Sequence, residues 1–300
     1  MAVLGCGTMG TAVLGGILQS LQSQSEQSAA ASYAMSSAEP APQRPPSKFH
    51  ACVHSAAGAE RVRSALSKYN ARLKIHQSSN VDAAKDADIV LLACDTHVVA
   101  SILQADGMRE ALAGTLLISI CAGLSETVLQ DIIYGRDFTT SLADSHACRI
   151  VRAMPNTAAA IRESMTMIAT PEPPLDAERD TLLTWIFTRI GRVTRLPAAN
   201  MDACTALCGS GTAFAAVMVE SMAAGAIGTG MPREQAYTMA AQTVRGATGL
   251  LLQGEHPAVL RDQVSTPGGC TTVGLAALEE GGFRGTIAKA IRNATSAASR

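Results

Sequence analysis

"VLGCGTMG", Val3 to Gly10, decides the fold. Gly5, Gly7 and Gly10 form a G-x-G-x-x-G that follows a short apolar run and opens a helical pattern. The three glycines differ in what they allow. Gly5 permits a tight turn, Gly7 lets the backbone approach a pyrophosphate, and Gly10 lets helix and strand pack closely. The unpaired N–H groups and the dipole of the helix start then favour an anion. The alternative for such a stretch is a glycine-rich turn in an unrelated α/β fold, so the residues that follow must supply the context.

They do. Apolar, β-rich runs alternate with helical patterns through the first two thirds of the chain. Strands are expected at Ala2–Leu4, Phe49–Val53, Leu73–His76, Ile89–Ala93, Thr115–Ser119 and Arg149–Ala153. Helices are expected at Thr11–Leu21, Gly58–Lys68, around Val98–Leu103 and at Ser125–Ile133. This alternation predicts a parallel sheet covered by helices on both faces, a Rossmann-type domain. Leu182, Leu183, Ile186, Phe187 and Ile190 give one more amphipathic helix within 176–190, stopped by Gly191, before a strand at Arg192–Leu196. From about Asn200 the texture changes to helix after helix. The expected division is therefore 1–197 for the dinucleotide-binding domain and 198–300 for an all-helical domain. Residues 22–47, rich in Ser, Gln, Ala and Pro, read as a disordered insertion.

The second strand narrows the cofactor. A site for NAD places Asp or Glu at its end, to bind the ribose 2′-hydroxyl. Here "FHACV" runs into His54 and Ser55, no carboxylate precedes Glu60, and Arg61 and Arg63 stand nearby. That neutral-to-basic end suits the 2′-phosphate of NADPH, with NADH as the alternative.

Composition excludes other classes. The 300 residues exceed the roughly 150 of one domain, so two are expected. A formal charge of -1 argues against a nucleic-acid partner. Eight cysteines, scattered singly within apolar runs, indicate reduced thiols in a cytoplasmic protein. No His or Cys cluster has metal-ligand spacing. The apolar N-terminus lacks the basic residues of a signal peptide. Residues 206–231 are nearly uncharged and long enough to cross a membrane, but their Ala and Gly content points to a helix buried in a core or between subunits, not to a membrane. Glu220 within it is expected at a subunit contact or polar pocket. His97 is expected at a solvated helix start, and Cys121 to pack rather than react.

A second stretch, "VSTPGGCTT" from Val264 to Thr272, offers backbone and hydroxyls with nothing to titrate near neutrality. Taken alone, it is either an ordinary helix start preceded by Pro and Gly, or a cradle for a small anion. Its candidate backbone donors are Gly268, Gly269 and Cys270, completed by Ser265 and Thr266.

Together, "GCGTMGTAVLGGIL", "ADIVLLACDTH", "LLISICAGLS", "RAMPNTAAAIRESMT", "DACTALCGSGTAF" and "LRDQVSTPGGCTTVGLAALEEGGFR" resemble the pyrroline-5-carboxylate reductase family over nearly the whole chain outside 22–47. The resemblance implies reduction of a cyclic imine to proline by hydride transfer from a nicotinamide, and a helical C-terminal domain that forms homodimers, often assembled into rings of dimers. It places Gly5, Gly7, Thr8 and Met9 in the phosphate loop and Asn80 beside the adenosine. Ala93, Cys94, Asp95, Thr96, Cys121, Ala122 and Gly123 fall in the loops beside the nicotinamide, and Asn156 in the M-P-N-T turn. Val264 to Thr271 fall in the loop that grips the substrate carboxylate, and Thr271 is the catalytic candidate, its hydroxyl near the ring nitrogen.

The chain also departs from the family pattern. Thr8 stands where Asn is usual, Asp95 and Thr96 where Lys-Pro is usual, and Ala158 and Thr212 where Pro is usual. These changes leave two alternatives beside the main reading: a diverged copy acting on a substituted pyrroline carboxylate, and a non-catalytic nucleotide-binding relative. A hydroxyacid dehydrogenase would need a lysine in the helical domain, where only Lys289 is found, close to the C-terminus.

Overall fold

The computed structural model describes residues 1–28, 42–136 and 147–299. The first compact unit is Met1–Gly209, joined by the C-terminal residues from Ala298. In chain order it contains β1 (Ala2–Leu4), α1 (Thr8–Ser28), β2 (Phe49–Val53), α2 (Ala56–Ala65), β3 (Leu73–Gln77), α3 (Asn80–Lys85), β4 (Ile89–Leu92), α4 (Val99–Leu103), α5 (Met108–Ala111), β5 (Leu116–Ser119), α6 (Glu126–Tyr134), β6 (Arg149–Met154), β7 (Ser164–Ala169), α7 (Ala177–Thr188), β8 (Gly191–Leu196) and α8 (Met201–Cys204). The strands form one sheet in the order β3-β2-β1-β4-β5-β6-β7-β8. Strand order reverses between β1 and β4, which opens the crevice where an α/β sheet binds its ligand.

The alternation of side chains along each strand builds two cores. Val3, Ala51, Leu91, Ile118 and Val151 point to one face and pack with Val13, Leu14 and Ile17 of α1, Val62 of α2, and Leu183, Ile186 and Phe187 of α7. Leu4, Cys52, Val90, Leu92 and Leu117 point the other way, against Val99, Leu103, Met108, Leu112, Leu129 and Ile133. Both faces are covered, which is why the strands read as near-continuous apolar runs.

The sheet departs from the expected all-parallel form at one place. β7 is antiparallel to β6, with β8 parallel to β7 beyond it. Its sequence, "SMTMIA", alternates at its start, but the polar Ser164 and Thr166 are buried while Met165 is only partly so. The buried Ser164 and Thr166 are held by hydroxyl contacts: Ser164 Oγ lies 3.3 Å from Thr166 Oγ1 and accepts from the Asn156 N–H at 3.0 Å. A tight 3-10 turn over Thr157–Ile161, closed by Arg162 at φ 60°, reverses the chain between β6 and β7.

The expected disordered insertion is corrected at its start. α1 continues through residues 22–28, because Gln and Glu are good helix formers even without a core to face. Residues 29–41 of the expected insertion lie outside the described residues. By packing, the first compact unit runs past the expected 197/198 division. α8 and the segment leading to it stay with the first unit, where Met201 and Cys204 pack on Met154, Met167 and Ala169.

The second unit, Ser210–Ala297, is described by itself. It comprises α9 (Gly211–Gly228), α10 (Arg233–Leu252), α11 (Pro257–Val264), α12 (Cys270–Glu280) and α13 (Phe283–Ala298). α9 and α10 meet through the small residues Ala223, Ala236 and Ala240, flanked by Val219, Ile227, Met231 and Tyr237. Within this single chain α9 is not buried on all sides: Val217 is 61% exposed and Glu220 is exposed. Among the described residues one helical stretch, Ala198–Gly228, is long and apolar enough to cross a membrane by length and composition.

Two buried histidines mark the β2–β3 edge. His50 Nδ1 lies 2.9 Å from His76 Nε2, and His50 Nε2 has no partner among the described residues. Burial lowers both pKa values below the ordinary 6.5; His76 and the Met1 amine lower His50 further, Lys74 lowers both, and Asp86 and Asp82 oppose the shift. A histidine held neutral by folding contributes stability above its unfolded pKa and loses it as pH falls toward the folded value. Urea midpoints measured from pH 7.5 to about 5 should therefore fall, with titration beginning around pH 6.5. His50→Phe should flatten that acid limb.

Candidate functional site

The crevice at the strand-order reversal is built from five chain segments. Gly5 adopts φ 79°, and a Cβ placed on it would overlap the Cβ and backbone of Cys94. This turn is closed by the Cys6 N–H donating to the Cys52 carbonyl at 2.7 Å and the Gly7 N–H to the Gly5 carbonyl at 2.7 Å. The Ala93 N–H donates to the Leu4 carbonyl at 2.9 Å, which locks the loop after β4 to the loop after β1. A Cβ on Gly10 would stand 2.9 Å from Val3 Cγ1 and 3.5 Å from Ala93 Cβ, so Gly10 sets how closely α1 approaches the sheet. A Cβ on Gly7 would meet only the Gly5 carbonyl, at 3.9 Å, which leaves open space where a pyrophosphate would lie. Thr8, Met9 and Gly10 form the first turn of the 21-residue α1, whose N–H groups lack intrahelical partners. The residues present fit a dinucleotide.

A groove of about 440 Å³ continues from Gly5 past Cys52, Val53, His54, Ser78, Asn80 and Cys94. The sequence had named Gly5, His54, Asn80 and Cys94 among these. No motif marks Ser78, in the turn after β3, or Val98, Ser101, Ile102 and Ala105, on and beside α4; their place in the fold alone brings them to the groove. Ser55 turns away from it: its hydroxyl caps α2 by accepting from the Gly58 N–H at 3.1 Å. Among the described residues no carboxylate lines the groove. Of the two arginines beyond β2, Arg63 pairs with Glu60 on the surface, and Arg61 lines a separate groove with Thr8, Thr11 and Tyr69.

The two loops expected beside the nicotinamide are joined. Thr96 donates its hydroxyl hydrogen to the Ala122 carbonyl at 3.0 Å, and the Cys121 thiol donates to the Cys94 carbonyl at 3.2 Å. The hydrogen bond with Cys121 and burial push the Cys94 thiol up from its ordinary range. Asp95 projects into solvent, 3.6 Å from the exposed His97, and its side chain is not part of the groove wall. Gly123 adopts φ 75° at the next turn.

Asn156 is held within the fold. Its Nδ2 donates to the Cys208 carbonyl at 2.9 Å, and its Oδ1 accepts from the Ala158 N–H at 3.1 Å. The Cys208 carbonyl belongs to a π-helical turn, Thr205–Ser210, so this contact ties the end of β6 to the helical segment after β8. Among the described residues no group of three metal-ligating side chains converges.

The loop Val264–Thr272 lies in the second unit. α11 ends at Val264, and the Ser265 hydroxyl donates to the Arg261 carbonyl at 2.7 Å. Gly268 adopts φ 71°, and the Gly269 N–H donates to the Thr266 carbonyl at 3.0 Å. That N–H is therefore committed to the turn. Thr272 donates its hydroxyl hydrogen to the same carbonyl at 2.8 Å. α12 then begins with no side-chain cap, leaving the first-turn N–H groups of Cys270, Thr271 and Thr272 for an external acceptor.

Comparison with known proteins places these features. Residues 198–300 match the family described as pyrroline-5-carboxylate reductase dimerisation, and residues 1–123 match NADP oxidoreductase, coenzyme F420-dependent. The chain is 52% identical to a pyrroline-5-carboxylate reductase of Lophium arboricola over all of this chain and 92% of that one. It is 49% identical to the enzyme of the same name from Neurospora crassa, again over all of this chain and 92% of the relative. The fold matches a Plasmodium falciparum pyrroline carboxylate reductase solved with NADP bound, at a TM-score of 0.75 and 24% identity, covering 99% of this chain and 96% of that one.

The contact between Gly5 and Cys94 is the most exposed to test. Gly5→Ala adds a methyl where φ is positive and space is absent. Affinity for a nicotinamide dinucleotide, measured by fluorescence titration, should fall about 10-fold or more, since left-handed strain alone costs about 1–3 kcal/mol.

Proposed function

Since the chain belongs to the pyrroline-5-carboxylate reductase family, we propose that it reduces 1-pyrroline-5-carboxylate to L-proline with NADPH, the final step of proline biosynthesis, in the cytoplasm. The observation that carries this reading is that each unit offers an anion cradle without His, Lys or carboxylate: an open phosphate loop at Gly5–Gly10 in the first, an uncapped helix start at Cys270 in the second. Bound nicotinamide supplies the hydride. The protein's own residues bind, orient and shield. The first-turn N–H groups of α12 offer donors to the substrate carboxylate, where the helix dipole adds to them. The Thr271 hydroxyl orients the ring nitrogen. A substrate that arrives as the protonated imine needs no acid from the protein, so alignment and exclusion of water supply the rate. The absence of a carboxylate among the described residues of the groove supports NADPH over NADH.

The departures from the family pattern do not favour a substituted substrate. Asp95 stands in solvent, and Ala158 makes a bond that a proline could not. Steady-state assay should show oxidation of NADPH with 1-pyrroline-5-carboxylate, faster than NADH and with higher kcat/KM than methylated analogues. Preference for a methylated ring overturns the substrate assignment, and NADPH binding without turnover identifies a non-catalytic relative. Thr271→Ala should lower kcat/KM about 10- to 100-fold, the value of a hydrogen bond to a charged partner, with NADPH affinity unchanged.

The second unit supports a homodimer, assembled further into rings of dimers. Its buried hydrophobics are Ala223, Ala236 and Ala240, while Val217, Met239, Leu252, Val259 and Val273 are exposed. So much apolar surface on a helical unit of this size calls for a second copy to cover it. Light scattering at micromolar concentration should give a dimer or its multiple, and Val217→Lys should shift it toward monomer. Recovery of the wild-type chain only with lipid or detergent would assign the apolar α9 face to a membrane instead.

A further inference from the structure

Two thiols stand side by side where the groove meets the sheet. β4 and β5 run parallel with Leu92 level with Ser119. The next ladder bond, from the Ile120 N–H to the Leu92 carbonyl at 3.0 Å, carries that register forward, so that Cys94 comes level with Cys121. Both side chains pack on the same face of the sheet. The Cys121 thiol reaches the Leu92 carbonyl at 3.5 Å and the Cys94 carbonyl at 3.2 Å, so it lies directly against the backbone of Cys94. Neighbouring strands lie roughly 4.8 Å apart, which falls within the roughly 4.4–6.8 Å between Cα atoms that a disulfide spans.

The pair also has access. Cys121 is buried, but Cys94 is half-buried and forms part of the groove wall. Another adjacent pair, Cys6 and Cys52, is fully enclosed, with no route for a reagent. Of these two pairs, Cys94–Cys121 combines register, contact and a route for a small reagent.

We propose that Cys94 and Cys121 form a reversible disulfide that disables the dinucleotide groove under oxidising conditions. The oxidant is a hydroperoxide. One sulfur is oxidised to a sulfenic acid as the O–O bond breaks and one water or alcohol leaves. The second sulfur then displaces water from it, so two S–H bonds and one O–O bond are exchanged for one S–S bond and two O–H bonds. Two electrons pass to the peroxide. Cys94 has no room to shift without moving Gly5, whose turn it underlies. Thr96 and Ala122 already tie the two loops, so the new bond draws together segments that are held in place just beyond it. A bound cofactor covers Cys94 in turn, and occupancy protects the pair from oxidation.

This inference rests on the reading of the groove as the cofactor site, and the test separates the two. The purified full-length chain is treated with hydrogen peroxide, alkylated and mapped under non-reducing conditions, and NADPH affinity is measured before, after and following dithiothreitol. The expected result is a peptide pair joined at Cys94 and Cys121 and affinity about tenfold weaker. Recovery on reduction and slower crosslinking when NADPH is present beforehand are also expected. Cys121→Ser, compared with its own untreated affinity, should lose the peroxide response. A reduced chain that binds NADPH but yields no such crosslink, or a crosslinked chain of unchanged affinity, overturns the proposal. A reduced chain that binds no dinucleotide overturns the cofactor reading, and the regulatory role falls with it.

Discussion

Everything in the first unit depends on how closely α1 can approach the sheet at β1 and β4. That distance is set by the missing side chains of Gly5 and Gly10. Gly10 seats the helix on Val3 and Ala93, and Gly5 lets the turn lie flat on Cys94. With the helix start fixed there, its unpaired N–H groups face the strand-order reversal, and the groove along β2 and α4 follows from the same placement. A single methyl at either position would lift the helix and blunt the groove together, so the core and the binding site share one constraint.

Much of this was legible in the sequence because the glycine spacing and the strand periodicity answer to the same geometry. Gly5, which the glycine spacing singles out, shares one groove with Asn80 and Cys94, which only the family resemblance singles out. The misses have physical causes. β7 is hard to assign because its buried Ser164 and Thr166 satisfy one another and the backbone, so the face a simple alternation would turn to solvent is enclosed. Residues 22–28 read as disordered because composition without an apolar face says nothing of helix propensity. Ser78, Ser101 and Ala105 have no local signature, since the turn after β3 and the segment around α4 become groove wall by their position and not by residue type. The loop Val264–Thr272 was legible as a helix start, but the chemistry of its individual N–H groups was not. Only the turn shows that Gly269 is committed to Thr266 while Cys270 is not.

The two units are held by opposite treatments of surface. The sheet unit covers both its faces with its own helices and keeps large side chains such as Phe187 and Leu14 fully enclosed. The helical unit joins α9 to α10 through alanines and leaves its larger apolar residues outward. Small residues at a helix contact allow close backbone approach but remove little apolar area from water. A domain built this way derives its stability largely from what it binds, which suits a segment whose family is described by dimerisation.

Ala158 ties one departure from the family pattern to its surroundings. Its N–H occupies Asn156 Oδ1, while Asn156 Nδ2 holds the carbonyl of the π-helical turn. A proline ring at this position would delete that donor and release one arm of an amide whose other arm anchors a helix. The backbone N–H of residue 158 is thus part of what fixes the segment after β8, and a proline is compatible with it only where a second change supplies a new donor.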